Sequence, residues 1–180
     1  ELKKLKEEGK IRVIGISTSS QEEDILAVQK FDFKSIQINF NLMDQRALFN
    51  GLFDACTNRG VGVIGRTPLC FGFLTGKYTS KDNYPSSDHR SAWSLEQIDK
   101  WANAIKLFTD KKVDQFGGTP TQVALRYCLS YPSIISTTVP GMLTDDHVLE
   151  NAITSKLGPL PDHIIKEFKQ IYHDNEFFIS

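Results

Sequence analysis

The sequence predicts an α/β fold of parallel strands covered by helices, and three features carry that expectation. Short apolar runs alternate in order with stretches of helical spacing; the runs are close to continuously apolar; and small and polar residues gather just beyond the end of each run. The 180 residues, 40% hydrophobic and 24% charged, suffice for one soluble globular domain spanning residues 1–180. Lys and Arg number 21 against 22 Asp and Glu, so a net charge of −1 offers no bulk attraction to nucleic acid or an anionic membrane. No run approaches the roughly 18 apolar residues of a membrane span, and Glu1-Leu2-Lys3-Lys4-Leu5-Lys6 has no signal-peptide core. Cys56, Cys70 and Cys128 form no CxxC, which favours a reducing, cytoplasmic setting over a disulfide framework or a zinc site. The chain begins without Met and enters abruptly on a charged helical stretch, so a segment of a longer protein is expected.

Leu2 and Leu5 before Gly9 read as the last turns of an amphipathic helix, which hands over to a strand run from Ile11 to Ile16. Ser20 followed by Gln21-Glu22-Glu23-Asp24 places a cap and acids at a helix start, with Ile25, Leu26 and Val28 as the apolar face. Ser35-Ile36-Gln37-Ile38-Asn39-Phe40 alternates as a strand, and Ala47, Leu48, Leu52, Phe53 and Cys56 recur at helical spacing up to Asn58-Arg59-Gly60. Val61-Gly62-Val63-Ile64-Gly65 is a third strand. A long connection follows, containing a helix from about Leu95 to Phe116, and connections of this length are often functional. Thr119-Pro120 starts a helix whose buried stripe is Val123, Ala124, Tyr127 and Cys128; Ile134 to Val139 is a fourth strand, and the last helices begin at Thr144 and Pro161. Periodicity does not choose between a doubly wound sheet and a barrel, but no GxGxxG follows the first strand, which removes the main sign of the former as a dinucleotide site.

Ligands of parallel α/β proteins sit at the carboxyl ends of the strands. Ser17-Thr18, Gln37 and Asn39, Thr67-Pro68-Leu69 with Gly72 and Gly76, and Pro140-Gly141 all fall there and share one face. Short polar groups can bond a planar amide, and glycines let backbone N–H groups approach a pyrophosphate; the competing reading is a set of turn formers. Thr144-Asp145-Asp146 opens a helix on the same face, where free N–H groups suit a phosphate or simply take an ordinary cap. His89, His147, His163 and His173 are scattered without metal-ligand spacing and read as surface or capping residues. No Ser lies in a nucleophile elbow and no Cys has an evident base, while Trp93 and Trp101 read as packing anchors.

Taken in order, Glu8-Gly9-Lys10-Ile11-Arg12 with Gly15-Ile16-Ser17, Gln37 to Leu42, Pro68-Leu69 with Gly72, Leu74 to Tyr78, Thr119 to Leu125, Pro140-Gly141 and Glu150-Asn151 resemble the aldo-keto reductases over almost the whole chain. The resemblance implies a parallel (β/α)8 TIM-type barrel, which needs roughly 250 residues, with this chain covering strands five to eight: the C-terminal, cofactor-binding half. It implies NADP or NAD as cofactor in an extended pose. Ser17 and Gln37 would bond the nicotinamide carboxamide, with Thr18 where many members have Asn, and the Arg66 guanidinium would stack on the ring. Thr67, Pro68, Leu69, Gly72 and Gly76 would line the pyrophosphate, with Lys77 and Arg90 as charge partners. Gly141, Leu143, Thr144 and His147 would lie near the adenosine, and Glu150 and Asn151 would face the adenine. His147 stands where many members have Gln, and Leu143 where many have Lys or Arg for the 2′-phosphate; the Leu143 departure weakens the expected preference for NADPH.

The family's Tyr, Lys, Asp and His belong to the first four strands, and no Asp-x-x-x-x-Tyr segment of that pattern is present, so no catalytic residue is carried over. The expectation is a segment of an NAD(P)H-dependent oxidoreductase reducing aldehydes or ketones, inactive alone. The alternative is a non-catalytic half-barrel or pseudoenzyme module that binds nucleotide or a partner protein. The expected partners are a small carbonyl compound and either the missing N-terminal half or a second copy. Two open strand edges and a wetted apolar barrel interior would drive that association.

Overall fold

Four parallel strands lie side by side in chain order: β1 (Gly15–Ser17), β2 (Ser35–Asn39), β3 (Gly62–Arg66) and β4 (Ile135–Val139). Parallel neighbours need a crossover, and helices supply it. They are α1 (Leu2–Glu7), α2 (Gln21–Lys30), α3 (Leu52–Arg59), α4 (Leu95–Thr109), α5 (Pro120–Leu129), α6 (Asp145–Leu157) and α7 (Asp162–His173). This computed structural model describes residues 1–79, 84–109 and 118–179; the expected continuation of α4 to Phe116 lies outside them.

Local chemistry sets the helix starts as expected. Ser20 and Thr119 each close a capping box, with Glu23 and Gln122 returning the bond, and Pro120 opens α5. Thr144 caps α6 through the His147 N–H. The expected Ala47-to-Cys56 helix is divided into a 3₁₀ turn at Arg46–Leu48 and α3, because Gly51 takes a left-handed φ of 85° between them. The first strand is shorter than the apolar run: only Gly15–Ser17 pair with β2. In α2 the buried apolar residues are Ala27 and Val28, and Leu26 is 45% exposed, so the inward face is turned away from the position expected for Leu26.

Burial alternates along β2 and β3. Ile36, Ile38 and Val63 are fully buried and belong to one core with Phe40, Phe53, Tyr127 and Phe168. Phe40 stacks on Tyr127 with centroids 5.6 Å apart and meets Tyr131 edge-on at 5.4 Å. The other positions of the same strands are small or polar: Ser35, Gln37, Asn39, Gly62 and Arg66, with Ile64 as the apolar member. Gly15 stands beside Ser35 in register, and a Cβ there would overlap the Ser35 hydroxyl. This corrects the expectation that strands buried on both faces would leave an apolar interior wetted. Among the described residues burial follows one face of β2 and β3, and the other face of these strands is mostly small or polar.

The core supplies a direct test. Replacing Phe40, which has no exposed surface, with Ala should cost about 3–5 kcal/mol in urea unfolding, whereas Leu26→Ala should stay within roughly 0.5 kcal/mol. Equal effects at the two positions would show that the helix layer is packed differently.

Candidate functional site

At the carboxyl ends of β1, β2 and β3 the Arg66 side chain lies across the strands. Its Nε donates to Asn39 Oδ1 at 2.8 Å, Nη1 to Ser17 Oγ at 2.9 Å and Nη2 to the Thr18 carbonyl at 2.9 Å. Ser17 Oγ in turn donates to the Gln37 carbonyl at 3.3 Å, and the Thr18 hydroxyl engages Asp24 and the Ser20 carbonyl. Burial raises the Asp24 carboxyl above its usual range, against the lowering influence of Thr18 and Arg66. No side-chain partner is present for the Gln37 carboxamide among the described residues.

The chain leaves β3 through a turn that stores strain. Thr67, Cys70 and Phe71 have φ of 52°, 44° and 56°, the left-handed region that non-glycine residues rarely occupy. Neighbours hold it: the Thr67 hydroxyl donates to Asn39 Oδ1 at 3.0 Å, and Asn41 Nδ2 donates to the Thr67 carbonyl at 3.0 Å. A 3₁₀ turn over Cys70–Thr75 follows and ends at Gly76, whose φ is 73°. Gly72 has φ 98°, and a Cβ there would stand 2.6 Å from the Tyr78 ring. No side chain fits between that turn and Tyr78.

Between the ends of β3 and β4 this turn borders a cleft of about 370 Å³. Thr67, Pro68, Leu69, Gly72, Lys77, Arg90, Gly141, Leu143, His147, Glu150 and Asn151 all line it. Gly76 and Thr144 do not: the first ends the 3₁₀ turn and the second is spent as a helix cap. Ser17, Thr18, Gln37 and Arg66 form the separate strand-end cluster described above.

Phe71, Thr75, Tyr78, His89, Thr121 and Val139 also line the cleft and were not expected to. His89 and His147 were read as surface or capping residues, although the resemblance also placed His147 near the adenosine; both face the cleft. The Phe71 ring packs on Trp93 at 4.3 Å and on His89 and Trp101 at 5.7 Å, a wall whose parts are far apart in the chain. Trp93 and Trp101 serve in it as the packing anchors expected from the sequence, while the places of Phe71 and His89 were not foreseen.

Arg90 is fixed from several sides. Asp88 takes its Nη2 at 2.7 Å, and the guanidinium lies 4.1 Å from the Tyr78 ring centroid and 4.8 Å from that of Tyr84. The Arg90 side chain, and then its backbone N–H, hold the Asp88 carboxyl down to about 2. Lys77 has no ion pair among the described residues. On α6, His147 Nδ1 accepts from the Leu143 N–H at 3.3 Å, and Thr119 donates to Glu150. The described residues include no group of three His, Cys, Asp or Glu able to hold a metal ion, and no helix of them is long and apolar enough to cross a membrane. Cys56, Cys70 and Cys128 are buried free thiols, and burial raises Cys56 to about 11.

Parallel strands in chain order, with a cleft at their carboxyl ends and a strained turn bordering it, define an α/β protein with its site on the loop face. The chain belongs to the aldo/keto reductase family, whose model matches residues 1–173. It is 30% identical over 174 residues to the aldo-keto reductase yakc [NADP(+)] of Schizosaccharomyces pombe, covering 94% of this chain and 50% of that protein. It is 28% identical over 175 residues to an L-glyceraldehyde 3-phosphate reductase of Escherichia coli, covering 87% of this chain and 50% of the other. The glycerol dehydrogenase of Gluconobacter oxydans superposes with a TM-score of 0.78 at 23% identity, over 99% of this chain and 54% of that one. An apo aldo-keto reductase from Bacillus halodurans gives 0.68 at 21% identity, over 94% and 54%. These structural likenesses speak for the fold. The chain spans about half the length of the curated relatives it matches.

Two consequences are measurable. Gly72→Ala should displace Tyr78 and loosen Arg90, costing about 1–3 kcal/mol of stability; an unchanged melting point would mean that the turn is not confined as described. Because Asp88 titrates below its ordinary 3.8, its contribution is complete above that value and is lost as the pH falls through it toward about 2. The melting-point deficit of Asp88→Asn should therefore be constant above about pH 5 and vanish in strong acid. A deficit that grows on acidification would contradict the pairing with Arg90.

Proposed function

We propose that the chain is the C-terminal half of a (β/α)8 barrel, with β1 to β4 in the places of strands five to eight. The whole protein would be an NAD(P)H-dependent oxidoreductase that reduces aldehydes or ketones to alcohols. Supporting the half-barrel are the consecutive parallel order, the single neighbour of β1 and of β4, and the exposed apolar side chains on flanking elements: Leu2, Val13 and Phe31 on one side, Val148, Leu149 and Ile153 on the other. The remaining half of the barrel, or a second copy, would cover those flanks. A cytoplasmic setting, with no nucleic-acid or membrane partner, belongs to the same proposal.

The observation that carries the cofactor reading is the cleft, lined by most of the residues that the family resemblance assigns to the pyrophosphate and adenosine, Gly76 and Thr144 excepted. The residues present fit the group. Lys77 and the fixed Arg90 suit a diphosphate, and a Cβ at Gly141 would meet nothing within 4 Å, so this wall leaves room. Glu150 and Asn151 would face the adenine. The open Gln37 carboxamide and the Ser17 hydroxyl would bond the nicotinamide amide; Thr18 has already committed its hydroxyl to Ser20 and Asp24. The bound cofactor would supply the hydride. This chain would hold and orient it, while the proton would come from a residue outside residues 1–180. Tyr127 and Tyr131 are unsuited as acids: they lie in the aromatic core, where burial pushes Tyr131 up to about 12 and Tyr127 well above its ordinary value.

Equilibrium titration of the full-length protein should show binding of both NADPH and NADH with weak discrimination, because Leu143 is 89% exposed and uncharged. Leu143→Arg should then favour NADPH by about fivefold, the worth of one exposed ion pair. Strong NADPH preference before the change would hand the 2′-phosphate to Lys77 or Arg90. The 180-residue chain alone should turn over no carbonyl compound with either cofactor; turnover abolished by changing one of its own tyrosines would refute the half-site reading.

A further inference from the structure

Each nitrogen of the Arg66 guanidinium makes a hydrogen bond, and none of them meets a carboxylate. Nε, Nη1 and Nη2 each donate to a neutral oxygen, from Asn39, Ser17 and the Thr18 carbonyl respectively. Among the described residues it forms no ion pair and no ring stacks on it. Arg46 and Arg90 differ, since each meets a carboxylate oxygen at 2.7 Å. Asp24 is linked to Arg66 through Thr18, which bonds the Asp24 carboxyl by its hydroxyl and Arg66 by its carbonyl. The carboxyl acts on Arg66 through space and makes no ion pair with it.

A guanidinium bonded along its edges offers a ligand its flat face, and a flat face suits a planar ring. Its positive charge, in contact with no carboxylate, then separates rings by their own charge, because like charges a few ångströms apart in a half-buried site repel strongly. We infer that Arg66 is a redox-state selector: the strand-end site holds the neutral dihydronicotinamide in preference to the cationic pyridinium. The inference rests on the proposed position of the nicotinamide beside Ser17 and Gln37. Arg66 would thereby favour loading of the reduced cofactor and release of the oxidised one.

The test is a pair of dissociation constants, NADPH and NADP⁺ titrated separately against the full-length protein, in the parent and in Arg66→Gln and Arg66→Lys. The parent should bind the reduced form at least about tenfold more tightly. Arg66→Gln, which removes the charge, should bring the ratio to within about threefold; Arg66→Lys, which keeps the charge and loses the three-way clamp, should retain most of it. Taking the ratio cancels a general loss of affinity from a disturbed strand end. A parental ratio near one, or an Arg66→Gln ratio equal to the parent's, overturns the selector and leaves dinucleotide binding intact. Failure of the parent to bind either form overturns the cofactor reading and the selector with it.

Discussion

The strand-end face depends on one oxygen. Asn39 Oδ1 accepts from Arg66 Nε at 2.8 Å and from the Thr67 hydroxyl at 3.0 Å, so a single side chain at the end of β2 fixes both the guanidinium and the first residue of the strained turn. From Arg66 the connection runs to Ser17 and Thr18 at the end of the far strand; Thr67, held also by Asn41, lines the cleft itself. Asn39 owes its position to the parallel register that sets it beside Arg66. The site is thus a consequence of strand pairing, and the loops inherit their geometry from it.

The strain after β3 is offset by packing. Left-handed residues cost on the order of 1–3 kcal/mol each, and they persist only where their surroundings hold them. Here the surroundings are the Phe71–Trp93–Trp101 cluster on one side and the buried Phe73 and Leu74 on the other. The C-terminal tail joins the same cluster: Gln97 bonds the Phe177 carbonyl and the Ile179 N–H, and Phe178 meets Trp101 edge-on at 5.8 Å. A wall assembled from three separate parts of the chain keeps the cleft open.

Much of this was legible in the sequence because its signals are local. Ser20, Thr119 and Thr144 cap helices in ways that need only a few neighbouring residues, and the β3 turn was marked by Pro68, Gly72 and Gly76. What could not be read depends on distance. The apolar runs suggested strands covered on both faces, yet the short polar partners at Ser35, Gln37 and Asn39 mark an open one; alternation at Ile36 and Ile38 was the clue to follow. Tyr78 and His89 line the cleft beside Arg90, whose contact with the Tyr78 ring at 4.1 Å composition does not reveal. The hydrogen bonds of Arg66 to Ser17, Thr18 and Asn39 could not be read either, because they require the register of β1 to β3 to be known.

In the proposed complex one extended dinucleotide would lie across the strand ends, its nicotinamide beside Gln37 and Arg66 and its adenosine beside Glu150 and Asn151. A crystal structure of the full-length protein with NADPH tests this most directly. The proposed placement puts the ring against the face of the Arg66 guanidinium, its carboxamide bonded to Ser17 and Gln37, and the diphosphate passing Lys77 in the cleft. A dinucleotide bound in the reverse sense, or one seated away from the cleft, would contradict it.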